Sequence, residues 1–344
     1  MGFVMALKKE VVFTVSGAII TAFALVCGGL AIKNIASDGK TNESEPVTTT
    51  YSRPTKEAPV ITGEGGTESR IKENMEVIMV CGIDGYKMLP EDNDYVHSTQ
   101  ADVIYVYALD HKNKTYQCIQ INRDTMTQVK QVVGIGEDTY ANMQICLSHT
   151  YGKTENARCL NTIDAVEKLL FNVPINHYIA LNMSAISVLN EQVGGVTVTV
   201  PAGLESADPE FIEGAKVTLK GAQAERFVRT REALKDDSNI FRMQRQEIFM
   251  KAWKEQAKAK MNEESGFPVK VILALSDNMT SDMTASALST LANQLKEYKD
   301  LGTLTTTGET LEEGDGRMFR EFHVDKDDLQ KKVIELFYEE VPAS

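Results

Sequence analysis

The sequence predicts an α/β domain behind an N-terminal membrane anchor, and three observations lead to this prediction. Residues 103–109, VIYVYAL, form a nearly continuous apolar run, which is typical of a central strand covered on both faces. Residues 156–171 carry apolar side chains at helical spacing. Residues 11–32 carry no charged side chain and are long enough to cross a bilayer, which takes about 20 residues.

The composition is that of a globular protein, with 42% hydrophobic and 25% charged residues. The net charge of -13 argues against broad contact with nucleic acid, because such contact requires a basic face. No zinc-finger spacing or basic arm compensates for this charge. An anion site in this chain must therefore be local.

The N-terminus predicts a single-pass protein of the cell membrane. Residues 1–10 form a short cytoplasmic segment, because the basic end of an anchor stays inside. We predict that residues 11–32 are an uncleaved transmembrane helix, since the apolar region of a signal peptide is shorter, roughly 7–15 residues. A cleavable leader with its site at residues 29–31 is the alternative. The rest of the chain is predicted to lie outside the cell.

The extracellular part is predicted as a stalk followed by one folded unit. Residues 33–72 are rich in Ser, Thr, Glu, Gly and Pro, a composition that predicts a flexible stalk. The domain follows at residues 73–344, with a motif-bearing core at 73–262 and a C-terminal extension at 263–344. No linker separates the extension from the core.

Three predicted strand ends carry charged side chains. A strand at residues 77–81 is followed by Asp84, and ligands of open α/β sheets bind at such carboxyl ends. Asp102 opens the strand at 103–109, and the next strand, 115–121, leads to Arg123. These side chains converge only if the strand after Asp102 runs opposite to its neighbours, which predicts a mixed sheet.

The remaining elements are predicted from periodicity and breaker residues, with Ser184 as the N-cap of its helix. Helices are expected at 140–151, 156–171, 184–193, 221–228, 239–261, 269–275, 285–295 and 327–338, and strands at 177–181, 196–200 and 319–324.

Residues 227–246, FVRTREALKDDSNIFRMQRQ, gather Arg229, Arg231, Arg242 and Arg245. Arginine offers a planar fork of donors that matches phosphate or carboxylate oxygens. In an acidic chain this cluster indicates an anion site, and pairing with surface carboxylates is the alternative.

Acids at strand ends and an arginine cluster suit a metal and phosphate site. Mg²⁺ binds one or two carboxylates plus phosphate oxygens, and Asp84 and Asp102 fit that role. Turn capping is the alternative for each Asp, and an ion pair with Asp124 is the alternative for Arg123. The absence of a G-x-x-x-x-G-K-[ST] loop and of a G-x-S-x-G elbow argues against ordinary nucleotide phosphotransferases and serine hydrolases.

The cysteines leave one question open. Cys146 and Cys159 flank a predicted loop, and outside the cell they either form a disulfide or stay free. Cys81 and Cys118 lie in apolar runs and are predicted as small core residues.

Four motifs, in order, resemble the LytR-CpsA-Psr family of bacterial cell-wall glycopolymer ligases. INRDT at residues 121–125 is similar to I-P-R-D-T, and VGGVTVTV at 193–200 resembles a G-G-V-x-V turn and strand. LKGAQAERFVRTR at 219–231 is similar to L-x-G-x-x-A-L-x-y-v-R-x-R, and FRMQRQ at 241–246 resembles R-x-x-R-Q. The N-terminal anchor also suits this family.

The resemblance implies an α-β-α fold with a central mixed sheet flanked by helices. It implies a phosphotransferase that attaches a phosphoglycopolymer, such as teichoic acid or capsular polysaccharide, from a polyprenyl-pyrophosphate lipid to a peptidoglycan sugar hydroxyl. Mg²⁺ or Mn²⁺ would be held by Asp84 and Asp102. The implied catalytic residues are Arg123, Asp84, Asp102, Arg229 and Arg231, and the implied pyrophosphate-binding residues are Arg123, Arg229, Arg231, Arg242 and Gln246.

Several positions depart from the family pattern. Gln100 stands two residues before the second acid where Arg is usual, Asn122 replaces the motif proline, and Asn239 stands where an acid is usual. These departures motivate an alternative, a non-catalytic polyprenyl-lipid or wall-binding module that regulates the envelope. Asp124 and Asp237 are the candidates for a general base.

Overall fold

We describe a computed structural model of the chain. It covers residues 59–62, 68–85, 99–131, 139–230, 239–264, 266–295, 297–312 and 320–341. The predicted cytoplasmic segment, the predicted anchor and Arg231 lie outside these residues. Among the residues described, no helix is both long and apolar enough to cross a membrane.

Seven strands come first, and helices and strands are interspersed from residue 155 onward. The strands are β1 Ile61–Thr62, β2 Glu68–Ile71, β3 Met75–Ile83, β4 Ala101–Asp110, β5 Thr115–Ile121, β6 Met126–Gln131, β7 Thr139–Gln144, β8 His177–Asn182, β9 Thr197–Thr199, β10 Lys216–Thr218, β11 Met279–Ser281, β12 Lys299–Thr305, β13 Gly308–Glu312, β14 Arg320–Val324 and β15 Tyr338–Glu340. The α-helices are α1 Glu155–Leu169, α2 Ser184–Gln192, α3 Gln223–Arg229, α4 Asn239–Glu263, α5 Phe267–Leu275, α6 Ala285–Leu295 and α7 Lys326–Phe337.

A mixed sheet in the order β11-β8-β3-β4-β5-β12 forms the centre of the domain. β3 is parallel to β8, and β5 is parallel to β12. β4 runs antiparallel to both of its neighbours, β3 and β5. The predicted reversal of the strand that carries Asp102 is therefore confirmed, and so is the mixed sheet.

Both faces of this sheet are buried, which explains the continuous apolar runs. Side chains alternate between the faces, so Tyr105 and Tyr107 of β4 pack on one side and Ile104 and Val106 on the other. Helices α2 to α6 cover the first face, and α1 and α7 cover the second. The α-β-α layering agrees with the sequence prediction.

Helix α4 docks on the sheet through side chains four residues apart. Phe249, Trp253 and Ala257 are all buried in the core between α4 and the sheet. The Trp253 indole Nε1 donates a hydrogen bond to the Leu189 carbonyl at 2.6 Å, which ties α4 to α2. This docking fixes the position of the helix turn that carries Arg242.

Two local predictions were wrong. Residues 140–151 form strand β7 and a 3-10 helix, Ile145–Thr150, in place of an α-helix. Pairing of β7 with β6 along six residues each overrides the local helical pattern. Ser184 begins its helix as expected, but it is not the N-cap: Met183 holds that position and makes no side-chain cap bond.

The first and last strands of the described residues lie in one small sheet. β1 and β2, which lie in the segment predicted as a stalk, form a small sheet with β15. The end of that segment is therefore folded against the C-terminus. β11 and β12, from the C-terminal extension, are the two edge strands of the central sheet.

Candidate active site

The charged side chains predicted at strand ends lie close together, at one end of the inner strands β3, β4 and β5. Asp84 directly follows β3, Asp102 is the second residue of β4, and Arg123 follows β5 by two positions. The hairpin register pairs Ile104 with Ile121, which brings Arg123 level with Asp102. The two side chains form an ion pair through Arg123 Nη1 and Asp102 Oδ1.

Asp102 joins two guanidinium groups. Its Oδ1 accepts from Arg123, and its Oδ2 accepts from Arg242 Nη1 at 2.9 Å. The Arg242 side chain is only 4% exposed and that of Asp102 16%. Asp124 also contacts Arg123, so the two arginines and the two carboxylates balance, and an added anion would be bound by the oriented guanidinium donors.

Arg123 is held from several sides. Its Nη2 donates to Gln100 Oε1 and lies 3.2 Å from Cys146 Sγ, while its Nε lies 3.4 Å from Asp124 Oδ1. Burial lowers the pKa of Arg123, but the adjacent Cys146, Asp102 and Asp124 raise it above its usual range. The guanidinium therefore stays charged.

The turn that carries Arg123 uses the residue found in place of the motif proline. Asn122 Oδ1 accepts from the Asp124 amide at 3.0 Å, and the Asn122 carbonyl accepts from Thr125 Oγ1 at 2.6 Å. Gln144 Nε2 donates to Asp124 Oδ1 at 3.1 Å. Asp124, a candidate base, does not line the polar pocket described below, and its contacts make it a support for the turn.

The arginines of the 227–246 segment have different surroundings. Arg229 ends α3, is 43% exposed, and lies 3.1 Å from both Asp84 Oδ1 and Glu225 Oε1. Arg245 is fully buried and donates to the carbonyls of Phe227 and Thr230 at 2.7 and 2.5 Å. Arg245 therefore satisfies carbonyl groups at the end of α3.

Two adjoining pockets share three charged residues. A polar pocket and an apolar pocket are both lined by Asp102, Arg229 and Arg242. The polar pocket is lined in addition by Asp84, Gln100, Arg123, Ala222, Glu225, Arg226 and Thr230. The apolar pocket lies between the sheet and helices α2, α3 and α4, with Gln246 one helical turn beyond Arg242.

Sequence reasoning missed several residues of this site. Gln100 departs from the family pattern, yet its Oε1 accepts a hydrogen bond from Arg123. Of the two alternatives for Cys146 and Cys159, the structure shows both thiols free. Burial raises the pKa of the Cys146 thiol to about 11, so the thiol is neutral beside Arg123. The spacing Gln100-Ala101-Asp102, which places both polar side chains on one face of a strand, was the available signal.

A magnesium ion needs few protein ligands, and the residues present fit it. Among the described residues, no group of three or more His, Cys, Asp and Glu side chains is arranged to hold a metal. Asp84 and Asp102 nevertheless line the same pocket, and two carboxylates suffice for Mg²⁺ when phosphate oxygens complete its shell. Both carboxylates are also ion-paired to arginines.

Comparison with known families decides the relationship. A model of the LytR_cpsA_psr family matches residues 36–335, which is most of the chain. The chain belongs to the LytR_cpsA_psr family. The resemblance carried by the four sequence motifs is thereby confirmed.

Curated relatives of this family member share a name. The chain is 25% identical over 215 residues to an Enterococcus faecalis protein named polyisoprenyl-teichoic acid–peptidoglycan teichoic acid transferase TagU. This match covers 62% of the chain and 64% of that protein. It is 29% identical over 202 residues to the Bacillus cereus (strain AH820) protein of the same name, covering 58% and 60%. The chain thus spans less than two thirds of the length of these relatives.

Solved structures share the fold at low sequence identity. TagT bound to LI-WTA is similar with a TM-score of 0.56 and 20% identity, over 77% of this chain and 90% of that one. Bacillus subtilis TagV gives 0.54 and 23%, over 77% and 98%. Streptococcus agalactiae gbs0355 gives 0.57 and 17%, over 76% and 87%. These matches agree with the α/β fold and its central mixed sheet.

Proposed function

We propose that this family member transfers a phosphoglycopolymer from a polyprenyl-pyrophosphate carrier to a peptidoglycan sugar hydroxyl. The observation that carries the proposal is the junction of two pockets at Asp102, Arg229 and Arg242. A polyprenyl pyrophosphate joins an apolar chain to a charged head group and would place one in each pocket. The names of the curated relatives support teichoic acid as the polymer class and peptidoglycan as the acceptor.

The proposed reaction is a phosphoryl-group transfer. The sugar hydroxyl attacks the phosphorus nearest the polymer, and its proton is released to solvent. The bond from that phosphorus to the bridging oxygen breaks, and lipid monophosphate leaves with the bond's electron pair. Such reactions depend on positioning and charge neutralisation, for which Arg123 and Arg242 are already oriented on Asp102.

Asp84 and Asp102 would hold Mg²⁺ or Mn²⁺ in this scheme. When bound, the ion would neutralise negative charge on the pyrophosphate oxygens. Arg229 lines both pockets, contacts Asp84 and would orient the phosphates from the side of α3. Arg231 and Gln246 complete the proposed binding set.

The proposed location follows from the substrates. Residues 11–32 would anchor the protein as a single-pass protein in the cell membrane, with the N-terminus in the cytoplasm and the domain outside. A membrane anchor would keep the domain between the lipid carrier and the cell wall. Accessibility of the domain to protease added to whole cells would test this orientation, since a domain inside the cell would be protected.

Turnover distinguishes transfer from binding alone. Full-length protein is mixed with a polyprenyl-pyrophosphate disaccharide, a peptidoglycan oligomer and Mg²⁺. The proposal predicts a coupled product and an equal amount of lipid monophosphate, both lost with a chelator and restored by added Mg²⁺. Tight binding of the lipid without product would instead support the non-catalytic lipid- or wall-binding module.

A further inference from the structure

Arg226 extends the polar pocket beyond the residues of the family motif. Ala222, Glu225, Arg226 and Arg229 all line this pocket, and their spacing places them on one face of α3. The wall from Ala222 to Arg229 is about 10 Å long, at 1.5 Å per residue. Arg229 also lines the apolar pocket, whereas Arg226 does not. Arg226 therefore lies on the side away from the proposed lipid chain.

A buried carboxylate holds Arg226 in place. Asp208 Oδ2 accepts from Arg226 Nε at 3.0 Å and from Nη2 at 2.6 Å. The Asp208 side chain is 5% exposed, whereas that of Arg226 is 44% exposed. Asp208 is itself fixed by the Glu210 amide at 3.0 Å. The guanidinium is thus oriented before any ligand binds, which lowers the entropy cost of binding.

The charges around Arg226 indicate that an anion would be bound by oriented hydrogen-bond donors and not by an excess of positive charge. Four arginines (123, 226, 229 and 242) and three acids (84, 102 and 225) line the polar pocket, a balance of four minus three. Asp208 behind Arg226 and Asp124 beside Arg123 bring this balance to four minus five. An anion on this wall would therefore be bound by oriented donors. Asp208 contacts Nε and Nη2 and leaves the Nη1 edge for a ligand.

We infer that Arg226 binds a phosphate group within the polymer of the donor, about one helical turn from the reacting pyrophosphate. The inference rests on the proposed function. With the lipid chain in the apolar pocket, the polymer must extend from the pyrophosphate along the other part of the polar pocket. A guanidinium matches phosphate oxygens in shape and charge. Arg226 thereby selects phosphate-containing polymers over neutral ones.

Two donor substrates, both built on the same polyprenyl pyrophosphate, test whether Arg226 selects phosphate-containing polymers. One carries a neutral disaccharide, and the other carries the same disaccharide extended by a glycerol phosphate unit. Arg226→Gln is expected to raise KM for the charged donor about tenfold, the scale of one charge-assisted hydrogen bond. The KM for the neutral donor and kcat for both should stay unchanged. Arg226→Lys, which keeps the charge without the fork, should give an intermediate KM.

Lys220→Gln is the matched control, because Lys220 is exposed, lies just before α3 and does not line the polar pocket. It removes the same charge and should leave both KM values unchanged. Equal weakening for both donors would overturn the inference and assign Arg226 a structural role. A raised KM for the acceptor alone would also overturn it. If the unaltered protein transfers neither donor, the proposed function fails, and calorimetric binding of the two donors still tests Arg226.

Discussion

Asp102 is the side chain on which Arg123 and Arg242 converge. Both of its oxygens are engaged, by Arg123 and by Arg242. A carboxylate this buried would be unstable alone, because burying an unpaired charge costs much more than burying a pair. The same pairing orients both arginines toward the polar pocket. Stability and charge stabilisation at this site therefore depend on one residue.

Replacing one partner should disturb the other. Arg242→Ala leaves an oxygen of Asp102 without its donor, and we expect a loss of about 2 kcal/mol in the free energy of unfolding. Asp102→Asn should cost a similar amount. The double variant should lose less than the sum of the two, because the interaction is already absent in each single variant. Denaturant titration of the four proteins measures this coupling, and strict additivity would mean that the pair contributes nothing.

Gln100 and Cys146 illustrate the limits of sequence reasoning at this scale. The acids and Arg123 were predictable, because they follow or open strands whose apolar runs are clear. The contacts of Arg123 with Gln100 and Cys146 were not, because those residues lie 23 positions away on either side. Only the tertiary fold brings them together. Arg123 does form the ion pair with Asp124 that the sequence offered as the alternative, and it also pairs with Asp102.

At the scale of elements, the contact between α3 and α4 sets the position of the arginines on α3. Arg245 of α4 donates to the carbonyls of Phe227 and Thr230, on either side of the end of α3. These bonds fix the helix end that carries Arg229. The sequence segment that joins these arginines therefore contains both pocket-lining and structural members.

Arg245→Met should weaken the contact between α3 and α4. It keeps most of the side-chain volume but leaves two carbonyls without donors, and we expect about 2–3 kcal/mol of destabilisation. Transfer should also show a raised donor KM, because Arg229 loses its fixed position. Thermal unfolding and transfer kinetics measure the two effects. A destabilised protein with an unchanged donor KM would show that α3 is held by other contacts.

The elements that were predicted correctly have strong local patterns. β4 and β5 follow from their apolar runs, and α1 from its helical spacing, to within two residues at each end. β7 was misassigned because its six residues alternate weakly and only pairing with β6 makes them a strand. The central sheet's edge strands, β11 and β12, are too distant in sequence for their pairing to be predicted.

At the scale of the whole molecule, stability should depend on pH through a buried histidine. His149 is fully buried, and its Nδ1 donates to the Thr99 carbonyl at 2.7 Å, next to Gln100. Burial lowers the pKa of His149 to about 4. In the unfolded chain its pKa is about 6.5, so only the unfolded state gains a proton between these values. The contribution of His149 to the free energy of unfolding is therefore fully present above about pH 6.5, and it is lost as the pH falls toward 4.

The loss expected from His149 over this range is about 3 kcal/mol, at 1.36 kcal/mol for each pKa unit. The thermal midpoint is measured between pH 7.5 and 4 for the unaltered protein and for His149→Asn. Asn can still donate to the Thr99 carbonyl but has no proton to gain. The variant should lose less stability on acidification. Parallel curves would show that carboxylates, and not His149, set the acid response.

In the proposed function, a lipid chain and a charged head group would occupy two pockets that meet at Asp102, Arg229 and Arg242. The most direct measurement is the transfer rate of Arg123→Ala with donor, acceptor and Mg²⁺. We predict a loss of kcat of about 100-fold or more, the scale for removing one charge-stabilising donor. Arg70→Ala, which alters an exposed arginine of β2, serves as the control and should retain the full rate. A folded Arg123→Ala protein that transfers at the unaltered rate would contradict the account.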